Sequence, residues 1–157
     1  MQRTTITLDD DLMARIDEFM QSRNYANRSE AIRDLVRGGL EQATLESNPK
    51  GQCLGAAIYV YDHEARELSS RLTRAAHEHH DLSLATLHVH LDHDSCMEVT
   101  ALRGRVGDVR HYADHVIAER GVRHGRLVLV PAEVSTEAHS HGSAKVSRHS
   151  HLHVKRS

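Results

Sequence analysis

Gln2-Arg3-Thr4-Thr5-Ile6-Thr7-Leu8 alternates so that Thr4, Ile6 and Leu8 fall on one side and Arg3, Thr5 and Thr7 on the other. This pattern predicts a short strand with one wettable face. Asp9 or Asp10 can cap a helix running on to about Ser22, with Leu12, Ile16, Phe19 and Met20 at helical spacing along its inner stripe. Asn24-Tyr25-Ala26-Asn27 breaks that helix. Ser29 can cap a second helix to about Leu40, with Ile32, Leu35, Val36 and Leu40 facing inward. One strand and two helices in about forty residues bury little surface alone, and a lone strand has two unpaired edges. Dimerisation through the strand is the expected remedy. The resulting antiparallel ribbon presents Arg3, Thr5 and Thr7 of both chains on one face, and such ribbons fit the major groove of double-stranded DNA. The amide-rich helix start at Asn27-Arg28-Ser29 suits a backbone phosphate.

Bulk charge adds nothing to this reading. The chain of 157 residues carries a formal net charge of −2. Residues 1–40 hold Arg3, Arg15, Arg23, Arg28, Arg33 and Arg37 against Asp9, Asp10, Asp11, Asp17, Glu18, Glu30 and Asp34. DNA binding rests on arrangement. The longest apolar run, Leu54 to Tyr61, is far short of the ~20 residues that span a bilayer, and the opening residues lack the apolar core of a signal peptide. Cytoplasm is the expected location. With 39% hydrophobic and 3% aromatic residues, the expected core is aliphatic.

The polar residues that follow, with Pro49 and Gly51, read as a linker. Boundaries fall at 1–45 for the first domain, 46–52 for the linker, 53–131 for a second domain and 132–157 for a tail. Within the second domain, Leu54 to Tyr61 is strand-like and Glu64 to about His77 helical. Ser83 to Leu91 and Cys96 to Leu102 are strands, Asp108 to Glu119 is a helix, and Val122 to Val130 is a last strand stopped by Pro131. The order β-α-β-β-α-β is the ferredoxin-like split arrangement, so the chain is of the α+β class. Such a sheet leaves one face to be covered, and another copy of the chain is the obvious cover.

The chemistry concentrates between His77 and Cys96. His88 and His90 are one residue apart on a strand and share a face. Asp92-His93-Asp94-Ser95 is a turn that folds Cys96 back toward them. Three ligands come from one hairpin, and the nearest stock for a fourth is His77, His79 and His80. Imidazoles with a thiolate suit Ni(II) or Cu(II) if square-planar and Zn(II) if tetrahedral. Cys53 has no ligand-like neighbours. The tail, with His139, His141, His149, His151 and His153 and few apolar residues, reads as disordered and as a weak metal collector at most.

Arg3-Thr4-Thr5-Ile6-Thr7-Leu8-Asp9-Asp10-Asp11-Leu12 with Asn27-Arg28-Ser29-Glu30-Ala31-Ile32-Arg33-Asp34-Leu35 resembles the ribbon-helix-helix transcription factors. Adding Asp81-Leu82-Ser83-Leu84-Ala85-Thr86-Leu87-His88-Val89-His90 and Gly121-Val122-Arg123-His124-Gly125, the chain is similar to the nickel-responsive regulator family over residues 2 to about 131. That resemblance implies an ACT-like second domain forming a tetramer core flanked by two DNA-binding dimers. It implies one Ni(2+) per subunit, roughly square-planar, held by His88, His90 and Cys96 of one chain and His77 of another. His79, His80 and His93 match no ligand position, and Glu78 interrupts what is an unbroken histidine run in better-known relatives. The resemblance also implies a second cation at the carboxylates of Glu30 and Asp34 and the carbonyls of Ile117, Glu119 and Val122. The expected function is nickel-dependent repression of nickel-uptake genes through operator DNA. The alternatives are metal storage or delivery, or a regulator answering to copper or zinc. No separate catalytic constellation suggests an enzyme.

Overall fold

Asp9 is the first fixed point of the computed structural model, which describes residues 3–65, 67–139 and 147–154. Its carboxylate accepts the Leu12 N–H at 2.8 Å and starts α1 (Asp10–Ser22). Asn24, in the left-handed region at φ 56°, turns the chain out of α1. The next helix, α2 (Arg28–Ser47), is capped by Asn27, whose Oδ1 accepts the Glu30 N–H at 3.0 Å. The cap is therefore two residues earlier than the expected Ser29. The helix also runs through residues 41–47, because no proline or glycine interrupts them before Asn48-Pro49, which leaves only a short turn where a linker was expected.

Two compact units divide at Ala43 and Thr44. In the first, residues 3–9 form no strand within one chain, as is natural for a strand whose partner is another molecule. Ile16 and Ala31 are buried and Phe19 stacks on Tyr25, but Ile6, Leu12, Leu35, Val36 and Leu40 stay 41–62% exposed. Half of the helix-stripe positions read from the periodicity, Leu12, Leu35, Val36 and Leu40, are thus uncovered in a single chain.

The second unit is built on β1 (Gln52–Asp62), α3 (Leu68–Glu78), β2 (Ser83–His90), β3 (Ser95–Arg105), α4 (Val106–Ile117) and β4 (Val122–His139). These strands lie in the order β2-β3-β1-β4, all antiparallel neighbours, which is the expected split arrangement. Residues 49–51 receive the start of α4: the Val106 N–H donates to the Gly51 carbonyl and the Gly107 N–H to that of Pro49, both at 2.8 Å. At the other end of α4, Gly121 takes φ 104°, and a Cβ there would meet Leu68 at 2.8 Å. The Gly121-Val122-Arg123-His124-Gly125 stretch is this turn followed by a bulge, with His124 at φ 55° and the β1–β4 register shifting between Ile58 and Val60.

The core joins one face of the sheet to α3 and α4 through Leu68, Leu72, Leu102, Val106, Val109 and Val116. Each such side chain contributes about 1.5–3 kcal/mol by leaving water. The core is not purely aliphatic, since Tyr59, Tyr61 and Tyr112 are buried in it. The opposite face of the sheet leaves Leu87, Leu91, Val128 and Val130 at 36–61% exposed.

Two expectations about the C-terminal part change. Pro131 does not stop β4. It pairs with Cys53 near the end of the β1 ladder, and pairing with the next strand begins only at Ala132, so its missing N–H interrupts no ladder on the outer side. The tail is not unstructured throughout, for β5 (Ser147–Val154) pairs with β4 from Ala132 to His139 and extends the sheet to five strands. Alternation of Ala132 and Val134 with the facing Val154 and Leu152 supplies the apolar side such a pairing needs. His141 lies outside the described residues. No described helix is long and apolar enough to cross a membrane.

Candidate metal centre and nucleic-acid face

The strand alternation of β2 places His88 and His90 on the face that also carries Cys96 of β3, since His90 pairs with Cys96 and His88 with Glu98. The Asp92 turn between them is closed by its own carboxylate, whose Oδ1 accepts the N–H groups of Asp94 and Ser95 at 2.9 and 2.7 Å. Those two bonds hold the Asp92 carboxyl below its ordinary range. One donor atom from each of His88, His90 and Cys96 falls within 4.8 Å of the others, and this is the group among the described residues that could hold a metal. The Cys96 Sγ is 3.3 Å from His90 Nδ1, and the two imidazole centres are 4.8 Å apart. A buried thiol beside two exposed imidazoles is a borderline N/S donor set that fits Ni(II), Cu(II) or Zn(II).

Around these donors lies a support that sequence reading missed. His88 Nδ1 is 3.2 Å from Glu98 Oε1, which leaves Nε2 for a metal. Glu98 in turn accepts hydrogen bonds from the Tyr59 hydroxyl and, at 3.2 Å, from the Tyr61 hydroxyl. Burial and then the Glu98 charge push Tyr61 up to about 12, and burial with the Glu98 bond raises Tyr59 further. Both phenols therefore stay protonated donors throughout the neutral range. Replacing Glu98 by glutamine removes the charge that orients and strengthens His88 while keeping the shape. Metal affinity is expected to fall about tenfold with the fold intact, measured by competition against a chelator and by thermal melting of the metal-free protein.

His63 was also missed. It follows β1 directly, and its Nδ1 stands 3.5 Å from the Cys96 Sγ. No sequence pattern shows it, because it depends on the pairing of Tyr61 with Cys96, which brings the end of β1 to the start of β3. Burial, with the carboxylates of Glu98 and Asp92, pushes the Cys96 thiol above its ordinary value.

His77 is exposed in the last turn of α3 and is not in the three-residue cluster of its own chain. His79 Nδ1 donates to the Ala75 carbonyl, 3.0 Å away, and the ring packs on Tyr112, while His80 Nδ1 is 3.2 Å from the His77 carbonyl. His93 is exposed in the turn. These three positions thus have local structural uses or face solvent. Cys53 is buried in the core, and burial raises its thiol as well.

In the first unit Arg3, Thr5 and Thr7 are exposed on the N-terminal segment. Asn27 is occupied as the α2 cap, and Arg28 makes a two-pronged ion pair with Asp17 at 2.6 and 2.7 Å. Ser29 is exposed. Also in this unit, the Tyr25 hydroxyl donates to Asp34 at 2.9 Å, and Glu30 lies in the first turn of α2. In the second unit the Glu119 carboxylate accepts from Arg71 Nε at 2.8 Å, and its carbonyl accepts the Val122 N–H at 3.0 Å. Ile117 is the last residue of α4.

Residues 2–43 match the family model described as ribbon-helix-helix protein, copG family, and residues 54–130 match the one described as NikR C terminal nickel binding domain. Fold and site together define a DNA-binding regulator that carries a metal-binding domain, rather than an enzyme. The nickel-responsive regulator of Edwardsiella ictaluri is 58% identical over 144 residues, 90% of this chain and 99% of that one. A provisionally assigned regulator of the same name from Rhodopseudomonas palustris CGA009 is 57% identical over 141 residues, 90% of this chain and 95% of that one. The solved protein MK0293 of Methanopyrus kandleri aligns over 67% of this chain and 64% of that one at 18% identity and TM-score 0.29, too slight a likeness to bear on the fold. The chain belongs to the nickel-responsive regulator family.

Proposed function

We propose that the chain is a nickel-dependent repressor of nickel uptake, working in the cytoplasm as a homotetramer of two ribbon dimers. The observation that carries this reading is the convergence of His88, His90 and Cys96 within 4.8 Å on one sheet face. His77 of a neighbouring chain completes a square-planar set, a role supported by its exposure and by its separation from the cluster of its own chain. On the opposite face of the sheet, the exposed apolar positions Leu87, Leu91, Val128 and Val130 favour a second copy. Arg3, Thr5 and Thr7 read base edges, and Asn27, Arg28 and Ser29 hold a phosphate. For Arg28 this means exchanging Asp17 for the DNA backbone, so its contribution is smaller than that of a free arginine.

Ligation draws His77 of one chain to the hairpin of another, and the segments on either side of it become ordered together. Because the ordered assembly is the one that spans two half-sites, metal and DNA tighten each other's binding equally. Titrating labelled operator DNA with the protein, with and without Ni(II), tests the claim. An increase in affinity of about 5–150-fold is expected for coupling of ordinary size, and equal affinity in both would falsify metal control.

Acid should weaken the site. The Cys96 thiol is held protonated above its ordinary range in the metal-free protein, so ligation at neutral pH displaces a proton. Metal affinity is expected to fall about tenfold for each pH unit lowered while that single proton is displaced, and more steeply once an imidazole must also lose one. Proton release in weakly buffered solution, counted against nickel bound, measures this directly. Release of no proton near pH 7 would mean that the thiolate is not a ligand.

A further inference from the structure

We infer that Arg71 is a positioning residue for the metal centre: by gripping the turn after α4 it fixes the rotation of α3, and so presets the direction in which His77 reaches a neighbouring chain. The inference rests on the reading that His77 of another chain completes the nickel set. Arg71 lies on α3, six residues before His77. Its Nε donates to Glu119 Oε2 at 2.8 Å, and its guanidinium donates again to the Arg120 carbonyl at 3.2 Å. A planar fork held by a carboxylate and a carbonyl together is fixed in direction as well as in distance. The two side chains are 34% and 18% exposed, so water and salt screen the pair less than they would a surface pair. What Arg71 grips is itself anchored. The Glu119 N–H donates to the Val116 carbonyl at 3.2 Å, the Glu119 carbonyl accepts the Val122 N–H at 3.0 Å, and β4 enters the sheet from there.

The stripe that α3 buries is Leu68, Leu72 and Ala75. Apolar packing of this kind decides which side of the helix faces the core, but it is not directional. Toward the C-terminal end a cavity of about 410 Å³ lies between Leu72, Ala76 and His77 on the helix side and Thr86, Glu98 and Thr100 on the strands, so this flank is not packed against the sheet. His77 itself is exposed. A helix with its side chains has a radius of about 5–6 Å, so a turn of about 20° around its axis carries a side-chain tip about 2 Å. Metal–ligand distances hold to within about 0.2 Å. A swing an order of magnitude larger decides whether His77 arrives at the hairpin of another chain or misses it. Arg71 stands about 9 Å along the axis from His77. Because a helix turns as one body, a grip near its first turn aims the imidazole in its last.

Arg71→Met in the full chain keeps the stem of the side chain and removes the fork. In the metal-free variant, amide hydrogen exchange around His77 should quicken at least about tenfold while β1 and β3 exchange as in wild type, because the opening is local to α3. Titrated with Ni(II) alone against a chelator, the variant should bind about 10–100-fold more weakly, the usual cost of losing a partner that orients a ligand. Its thiolate-to-nickel band should move to that of His77→Ala. In the His77→Ala background, Arg71→Met should cost less than about twofold more, since no imidazole is left to aim. If Arg71→Met melts without cooperativity, Arg71→Lys takes its place with a smaller loss of the same kind, because lysine keeps the charge and not the fork. Unchanged exchange around His77, or an equal loss of affinity with and without His77, overturns the positioning role. A His77→Ala variant that binds nickel as wild type does overturns the ligand from the other chain and this role with it. A loss in His77→Ala and none in Arg71→Met overturns this role alone.

Discussion

Cys96→Ala is expected to abolish the thiolate-to-nickel absorption and to reduce operator DNA in the presence of nickel to its metal-free affinity. The side chain is fully buried, and alanine fits the space it leaves, so the fold should survive. What disappears is the one sulfur donor in the cluster, 3.3 Å from His90 and 3.5 Å from His63. Losing a partner that merely supports a ligand costs about 10–100-fold in metal affinity, and losing a ligand costs more. Nickel then no longer favours the DNA-competent assembly at micromolar concentration, and the whole coupling of about 1–3 kcal/mol is lost. Fluorescence anisotropy of operator DNA, read beside a nickel titration, measures both effects. Retention of nickel-dependent DNA binding by this variant would remove Cys96 from the mechanism.

Val36→Glu should produce an equally large loss by a different route. Val36 is 55% exposed on α2 in a single chain, where an exposed substitution ordinarily changes stability by no more than about 0.5 kcal/mol. In a ribbon dimer the same position faces the partner together with Ile6, Leu12, Leu35 and Leu40, and a carboxylate there is buried without a counter-ion. The first unit should therefore fail to dimerise, and DNA affinity should fall at least about 100-fold with or without nickel, since one half of the ribbon cannot hold a half-site. The nickel site of the second unit should be untouched, with its thiolate band unchanged. Sedimentation of the variant, set against its nickel spectrum, separates the two units. An unaltered assembly with unaltered DNA binding would show that this stripe is not the dimer interface.

Much of what fixes these two expected results is legible in the sequence. The apolar stripes of α1 and α2 and the β-α-β-β-α-β order are local patterns, and they point to the right elements and class. The spacing of His88, His90 and Cys96 around an Asp-rich turn was equally legible, because a hairpin brings neighbours in sequence into contact. Boundaries were less so. Ser29 and Asn27 are both good caps, and only the bond from the Glu30 N–H to Asn27 chooses between them. Glu64 looked helical, but Asp62 accepts its N–H at 2.9 Å, and the turn so made delays α3 to Leu68.

The sequence by itself determined the two-unit plan and the convergence of His88, His90 and Cys96 on one hairpin, since each depends on residues a few positions apart whose periodicity sets their common face. Tertiary structure alone decided the rest. It brought His63 to Cys96 across 33 positions, set Glu98 between His88 and two buried tyrosines, and gave the C-terminal histidines a partner strand with glutamates across from them. Pairing between distant segments depends on register and on which face is apolar, and neither is a property of either segment alone.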